Sequence, residues 1–237
     1  MPSSVPSRSS LALRHIPLFE GLAEACLERI ADECDWRTLE ARRPLFTRNS
    51  AGSEVFFLVS GRVRITTFSS QGREVSFQDY EEGAHFGDLS AIDGAPRSAD
   101  VVTLTPSVFA GLSSAAFLAL LQREPLMATR VLRDLTSKVR SLTERVIELS
   151  TLGVQTRLHA ELLRLALATG VHDNQSRLDP APAHAALASK ISTNREQVTR
   201  ELNALIRTGL LRKEGTHTLI VADVQRLRTL VAEVRGA

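Results

Sequence analysis

The sequence predicts an α+β fold with a β-rich front half, one long helix and a helical C-terminal module. Three observations carry this. Short β-rich runs separated by glycines fill residues 38–112. Apolar positions recur at spacings of 3, 4, 3, 4 and 3 from Leu132 to Leu149. Beyond residue 150 the pattern changes to amphipathic helices with one small hairpin.

Residues 11–35 open the chain as a short helical segment. Leu22, Cys26, Leu27 and Ile30 lie at helical spacing, and Pro17 and Gly21 punctuate the entry. Strands are predicted at Leu45–Thr47, Val55–Val59, Val63–Phe68, Glu74–Phe77, Ala99–Leu104 and Val108–Ala110. Gly52, Gly61, Gly72, Gly83, Gly87 and Gly94 separate many of them, and Gln71-Gly72 is the expected tip of one hairpin. Many short strands with glycine turns indicate an antiparallel sandwich or barrel.

Helix resumes at Ser114–Gln122 and breaks near Pro125. The long helix then places Leu132, Val139 and Val146 in one heptad column and Leu135, Leu142 and Leu149 in the other. Two such columns form a narrow apolar seam, which suits a two-stranded coiled coil better than packing on the chain's own domain. Arg133, Lys138, Arg140, Glu144 and Glu148 are read as its wet face. Farther on, Arg157–Ala168 is a helix ending at Gly170, and His172–Arg177 is a polar loop. Ala183–Ile191 and Asn194–Thr208 are two helices joined by Ser192-Thr193, the second closed by Gly209. Leu210–Arg212 and His217–Val221 form a hairpin around Glu214-Gly215, and Asp223 caps a last helix carrying Val224, Leu227 and Leu230.

Composition excludes several classes. The chain has 237 residues, 43% hydrophobic and 24% charged, with net charge +2, ordinary for a globular protein. No apolar run reaches the ~18 residues of a membrane helix. Met1–Ser10 lacks an apolar block, so no signal peptide is expected and the cytoplasm is the default location. Cys26 and Cys34 are too few for a disulfide framework, a zinc site or an iron–sulfur set and read as small buried hydrophobes. Residues 150–237 hold 12 Lys/Arg against 8 Asp/Glu, net +4, and residues 1–149 hold 17 against 19, net −2. A basic rear half hints at a polyanion partner.

Two constellations could carry chemistry. Two helices with a tight turn and a following β-wing make a winged helix-turn-helix. Its second helix places Arg195, Glu196, Thr199 and Arg200 outward near its start, where a recognition helix meets base edges of double-stranded DNA. A solvated, charged helix start is the alternative. The second constellation runs from Gly83 to Ala99, with Gly87-Asp88-Leu89 and Pro96-Arg97-Ser98-Ala99 at its heart. Arg97 can fork onto a phosphate, Ser98 can donate beside it, and Asp88 can accept a ribose hydroxyl. An internal Asp88–Arg97 salt bridge would satisfy the same residues. His85, next to this segment, reads as a satisfied polar side chain, and no metal or haem ligand set is visible.

These segments resemble the cyclic-AMP receptor protein (Crp/Fnr) family of bacterial transcription regulators. The resemblance covers about residues 17–230. It rests on Phe56-Phe57-Leu58-Val59-Ser60-Gly61-Arg62-Val63, the Gly83–Ala99 segment, the heptad helix, and Arg195-Glu196-x-Val198-x-Arg200, all in the family's order. It implies an N-terminal antiparallel β-roll of the cyclic nucleotide-binding type, a dimerisation helix and a C-terminal winged helix-turn-helix. The boundaries expected are a tail at 1–16, the β-roll at 17–123, the helix at 124–150 and the DNA-binding domain at 151–237.

The resemblance also implies roles. Gly87 and Leu89 would offer backbone to a cyclic nucleotide, Arg97 and Ser98 would hold its phosphate, and Asp88 its ribose 2′-hydroxyl. Leu142 and Thr143 stand where the family's helix meets the base. Arg195, Glu196 and Arg200 would read TGTGA-like half-sites of a palindromic operator. Members that bind cyclic AMP usually carry Glu at Asp88 and often a hydroxyl residue at Leu142, so both cyclic AMP and cyclic GMP are candidate effectors. Gly is usual where Ser192 stands, and an acidic residue is frequent at Ala186. The expectation is a homodimeric, non-enzymatic regulator without metal or membrane association, and RNA polymerase is a possible partner through the His172–Arg177 loop. A nucleotide-independent or differently liganded regulator is the alternative, and a β-roll metalloenzyme the remote one.

Overall fold

Val55-Phe56-Phe57-Leu58-Val59 is apolar at every position. A strand with no polar face must be covered on both sides, and the first part of the chain is built around that need. The computed structural model describes residues 9–68, 74–215 and 217–235. The chain divides into two units, residues 1–138 and 139–237.

In the first unit α1 (Ser10–Leu13), a single 3-10 turn (Pro17–Phe19) and α2 (Glu24–Glu33) precede the strands. There follow β1 (Asp35–Leu39), β2 (Pro44–Phe46), β3 (Val55–Ser60), β4 (Arg62–Phe68), β5 (Glu74–Glu81), β6 (His85–Phe86), α3 (Asp88–Asp93), β7 (Asp100–Thr103) and β8 (Ser107–Leu112). They form two four-stranded antiparallel sheets, ordered β1-β8-β3-β6 and β2-β7-β4-β5. Helices α4 (Ser114–Arg123) and α5 (Pro125–Thr151) come next, and α5 runs through the division between the units.

Two cores share β3. Val55, Phe57 and Val59 join Leu13, Phe19, Leu27, Ile30, Phe117, Met127 and Val131 in a core lined by the helices. Phe56 and Leu58 point the other way, to Val63, Phe86, Val101 and Phe109 between the sheets. Burying a large apolar side chain contributes about 1.5–3 kcal/mol, against about 1–2 kcal/mol for ordering one residue of backbone. A strand buried on both faces therefore covers its own ordering cost at each position from Val55 to Val59. Cys26 is buried in the helix-side core and Cys34 packs at its margin. Burial, with Glu33 and Asp35 beside it, pushes the Cys34 thiol up to about 12.

Pro125 opens α5, where a missing N–H removes no helical bond. Met127 and Val131 are buried, and Leu135 continues their stripe, half-buried against the same core. Leu135 thus turns toward its own unit, unlike the rest of the expected seam. Leu132, Val139, Leu142, Val146 and Leu149 are between 41% and 64% exposed. Lys138 is also not on a wet face; it is ion-paired, as described below.

The second unit holds α6 (Val154–Thr169), β9 (Ser176–Leu178), α7 (His184–Lys190), α8 (Arg195–Arg207), β10 (Leu211–Glu214), β11 (Thr218–Val221) and α9 (Val224–Arg235). Its core joins Leu158, Leu162, Leu187, Val198, Leu202, Leu205 and Leu227. The expected hairpin is a three-stranded sheet, β10-β11-β9, because part of the His172–Arg177 loop pairs as β9. The expected Gln71-Gly72 tip lies outside the described residues. Two expected local signals hold, at Gly209 and Asp223, and the structure adds a cap at Asn194. Asn194 caps α8, its side chain accepting from the Gln197 N–H at 2.8 Å. Gly209, at φ +73°, lets Leu210 N–H reach the Leu205 carbonyl at 3.0 Å. Asp223 accepts from Arg226 N–H at 2.8 Å ahead of α9.

Candidate functional site

The Gly83–Ala99 segment forms a strand end, a tight turn and a short helix. Gly87 stands between β6 and α3 at φ +86°. A Cβ there would lie 2.7 Å from Arg97 Nη1 and 2.7 Å from the Glu54 carbonyl oxygen. Only glycine meets both the left-handed backbone and the close approach of the arginine.

Arg97 is 2% exposed. Its Nη1 donates to the backbone carbonyls of Glu54 at 2.9 Å and Gly87 at 3.3 Å, and the guanidinium lies 4.2 Å from the Phe46 ring centroid. Nη2 donates to Glu54 Oε2 at 3.0 Å. Nε is buried and has no hydrogen-bond partner among the described residues. Burial lowers the Arg97 pKa and Glu54 opposes that shift. Ser98 beside it is exposed.

Asp88, the first residue of α3, is 3% exposed. Lys138 of α5 donates to Asp88 Oδ2 at 3.1 Å and lies 2.8 Å from Asp134. Burial opposes the charge on Lys138, but Asp88 and Asp134 outweigh it and raise its pKa. His85 Nε2 lies 3.6 Å from Asp134, and burial holds this imidazole below its ordinary pKa against the pull of Asp88. His85, Asp88 and Asp134 bring ligand-type atoms within 4.8 Å of one another. The Lys138 ammonium lies within hydrogen-bond distance of both carboxylates and acts as their cation.

The structure therefore corrects the internal alternative. Asp88 and Arg97 are not partnered with each other; Asp88 holds Lys138 and Arg97 holds Glu54. It gathers Gly87, Asp88, Arg97 and Ser98 around one turn, and Leu89 stands exposed on α3. Leu142 and Thr143 belong to the second unit and are both exposed. Sequence reasoning missed Glu54, Lys138 and Asp134. Asp134 and Lys138 at helical i,i+4 spacing were the one available signal. Nothing in the sequence pointed to Glu54.

In the second unit Arg195, Glu196 and Arg200 are exposed on the first turns of α8. Thr199 is not an open outward residue. Its hydroxyl donates to the Arg195 carbonyl at 2.9 Å and lies 2.8 Å from His184 Nδ1, tying α8 to α7. Burial, then Lys213 of β10 and Arg195, lowers the His184 pKa. Three elements of this unit thus bring basic groups around the start of α8. Ser192, in the turn between α7 and α8, sits at φ +54°, a backbone conformation that costs a non-glycine residue about 1–2 kcal/mol.

Known proteins match both parts. Residues 36–124 match the family described as the cyclic nucleotide-binding domain, and residues 156–230 the Crp-like helix-turn-helix domain. The cyclic AMP receptor protein of Thermus thermophilus is 28% identical over 216 residues, 90% of this chain and 96% of the relative. The CRP-like cAMP-activated global transcriptional regulator of Mycobacterium tuberculosis is 23% identical over 211 residues, 89% of this chain and 94% of that one. The solved structure of the c-di-GMP responsive global regulator CLP of Xanthomonas campestris superposes with a TM-score of 0.70 at 22% identity, covering 85% of this chain and 99% of that one. Among the described residues no helix is long and apolar enough to cross a membrane.

Proposed function

The chain belongs to the Crp/Fnr family of transcription regulators, and from that premise we propose that it is a homodimer whose affinity for DNA is set by a cyclic nucleotide, cyclic AMP or cyclic GMP, held at the Gly87–Ser98 turn. One observation carries the ligand reading. Arg97 keeps a guanidinium almost wholly buried, with Nη1 spent on backbone and Nε left without a partner. A buried charge is costly unless it is paired, and the Nε–Nη2 edge matches a phosphate that accepts two parallel bonds. Ser98 would donate beside it, Gly87 and Leu89 would supply backbone, and Asp88 would accept the ribose hydroxyl.

The uncovered apolar face of α5 supports the dimer. Two such faces in register bury Leu132, Val139, Leu142, Val146 and Leu149 against their copies. Two recognition helices then read half-sites about one helical turn apart in a palindromic operator, TGTGA-like if the family's code for Arg195, Glu196 and Arg200 holds. Ligand shifts the equilibrium between DNA-binding and idle states only by its different affinity for the two. RNA polymerase would meet the exposed residues around His172–Gln175.

The test of the ligand reading is calorimetry with cyclic AMP and cyclic GMP on the wild type and Arg97→Ala. Binding that is weakened at least tenfold in the variant is expected; no heat from either nucleotide refutes it. A second reading, a regulator that is nucleotide-independent or takes another ligand, has its own support. Both charged groups of the turn already have internal partners, Glu54 and Lys138. Cyclic di-GMP belongs in the same titration series, and equal operator footprints with and without every nucleotide favour this second reading.

A further inference from the structure

We propose that Glu54 is an internal competitor for the anion-binding edge of Arg97, shuttling its carboxylate between Arg97 and Arg37 and so setting the ligand concentration at which the turn fills. This deepens the reading of the turn as a phosphate site and rests on it.

The geometry separates the fixed half of Arg97 from the free half. Nη1 is held by two backbone carbonyls and the guanidinium rests over Phe46, so the side chain cannot swing. Its Nε–Nη2 edge is the half that remains for an anion. Glu54 covers that edge incompletely: Oε2 takes Nη2 at 3.0 Å, and Nε goes unpaired. A carboxylate satisfying an arginine fully would take both donors in parallel. Glu54 does not, because its second oxygen, Oε1, lies 3.5 Å from Arg37 Nη2. The carboxylate is shared by two cations, one oxygen toward each.

Its anchor is fixed and its tip is not. The Glu54 carbonyl accepts from Arg97 and the next residue begins β3, so the backbone stays in place. The side chain is 38% exposed, against 2% for Arg97. Space for an incoming anion is kept open by Gly52. A Cβ on Gly52 would stand 3.2 Å from Glu54 Oε2 and 3.5 Å from Arg97 Nε. Arg37, on β1, is half-buried, pairs with Asp35 at 2.7 Å and lies 5.4 Å from the Phe56 ring centroid, so it can receive the carboxylate without leaving its place. A phosphate arriving at Arg97 then displaces one carboxylate oxygen and moves no backbone.

The experiment uses the full-length protein. Calorimetry with cyclic AMP and cyclic GMP, and phosphorus NMR titration with inorganic phosphate, are run on the wild type, Glu54→Gln, Arg37→Ala and the double variant Glu54→Gln/Arg97→Lys, with thermal unfolding to confirm folding. Glu54→Gln is expected to bind the anion about tenfold more tightly, the factor that 1.4 kcal/mol represents. Arg37→Ala is expected to bind it several-fold more weakly, since Glu54 loses its second partner. The double variant loses the gain. Glu54→Gln affinities at or below wild type for every probe overturn the competitor, as does a gain that persists in the double variant. Arg37→Ala unchanged from wild type overturns the shuttle. If Glu54→Gln gains phosphate through Arg97 while neither cyclic nucleotide binds any form, the competitor stands and the cyclic-nucleotide reading falls. No binding of any probe to wild type or Glu54→Gln refutes the competitor itself.

Discussion

Truncating Val139 tests the dimer reading with an internal control four residues away. Val139→Ala deletes two methyl-sized carbons from the middle of the exposed α5 face. In a two-fold dimer the deletion occurs twice. Each carbon is worth about 0.8 kcal/mol when removed from water. Val139 is 62% exposed in the single chain, so only that fraction of the burial is gained on association. The expected loss is about 2 kcal/mol of dimer stability, or about a 30-fold rise in the dimer dissociation constant. Sedimentation equilibrium across a concentration series measures it directly. Leu135→Ala is the control. Leu135 packs on the first unit's own core, so its truncation should lower the thermal midpoint of the chain and leave the monomer–dimer equilibrium less disturbed than Val139→Ala does. A wild type that stays monomeric at micromolar concentration refutes the dimer. A dissociation constant more sensitive to Leu135 than to Val139 refutes the assignment of faces on α5.

Two further predictions follow from the second unit. Arg195→Ala should cost about 1–3 kcal/mol of operator affinity and relax discrimination at one base position in a binding-site selection; uniform weakening on all sequences, with the salt slope reduced by about one, would make it a phosphate contact instead. His159 is buried with its Nε2 unpartnered among the described residues, and burial lowers its pKa despite the opposing Glu201. The unfolded chain therefore binds the proton first, so its contribution to stability is complete above the ordinary histidine value near 6.5. That contribution is lost as pH falls from there toward the lowered folded value. Hydrogen exchange of α6 and α8 amides in His159→Met should respond less to a drop from pH 7.5 to 5.5 than in the wild type, and an identical response in both proteins excludes His159 as the cause.

The longer strands and most of the helices were legible because their patterns are long or punctuated. Val55–Val59 is an unbroken apolar run, the heptads of α5 are a strong periodic signal, and Asn194 and Gly209 bracket α8 with residues whose chemistry suits those positions. Three strands were not legible. β1 is Asp-Trp-Arg-Thr-Leu, an edge strand whose charges break the apolar pattern. β6 is two residues long, and β9 places Ser176 and Leu178 inward around an exposed Arg177. The turn at Gly87–Ser98 could be found, because glycine, carboxylate and arginine announce it together. Its internal partners could not. Glu54 and Lys138 reach Arg97 and Asp88 across 43 and 50 residues of sequence, and no local pattern encodes such a pairing. Lys138 looked like one more charge on a wet helix face until the fold placed a buried carboxylate beside it.

The two-faced strand β3 has a consequence for how the sheet finds its alignment. Hydrophobic alternation normally forbids a one-residue slip, because the slip would turn apolar side chains outward. In β3 the penalty vanishes: a slip merely trades Phe56 for Phe57, one apolar ring for another. Alignment has to be enforced by shape. Gly111 faces Phe56 across the β3–β8 pair, and a Cβ there would stand 3.0 Å from the ring; a Cβ on Gly61, just past the strand, would fall 2.3 Å from Ser107 Oγ. Gly111 is the one residue of β8 without a side chain, so the Phe56 ring fits opposite it, and Gly61 separately lets the end of β3 approach Ser107. The ring so placed lies 5.4 Å from the Arg37 guanidinium and 5.7 Å from that of Arg97. The arginine pair at the anion edge therefore depends on a glycine in the sheet, Gly111, and a side chain added there should disorder that edge before it unfolds the roll.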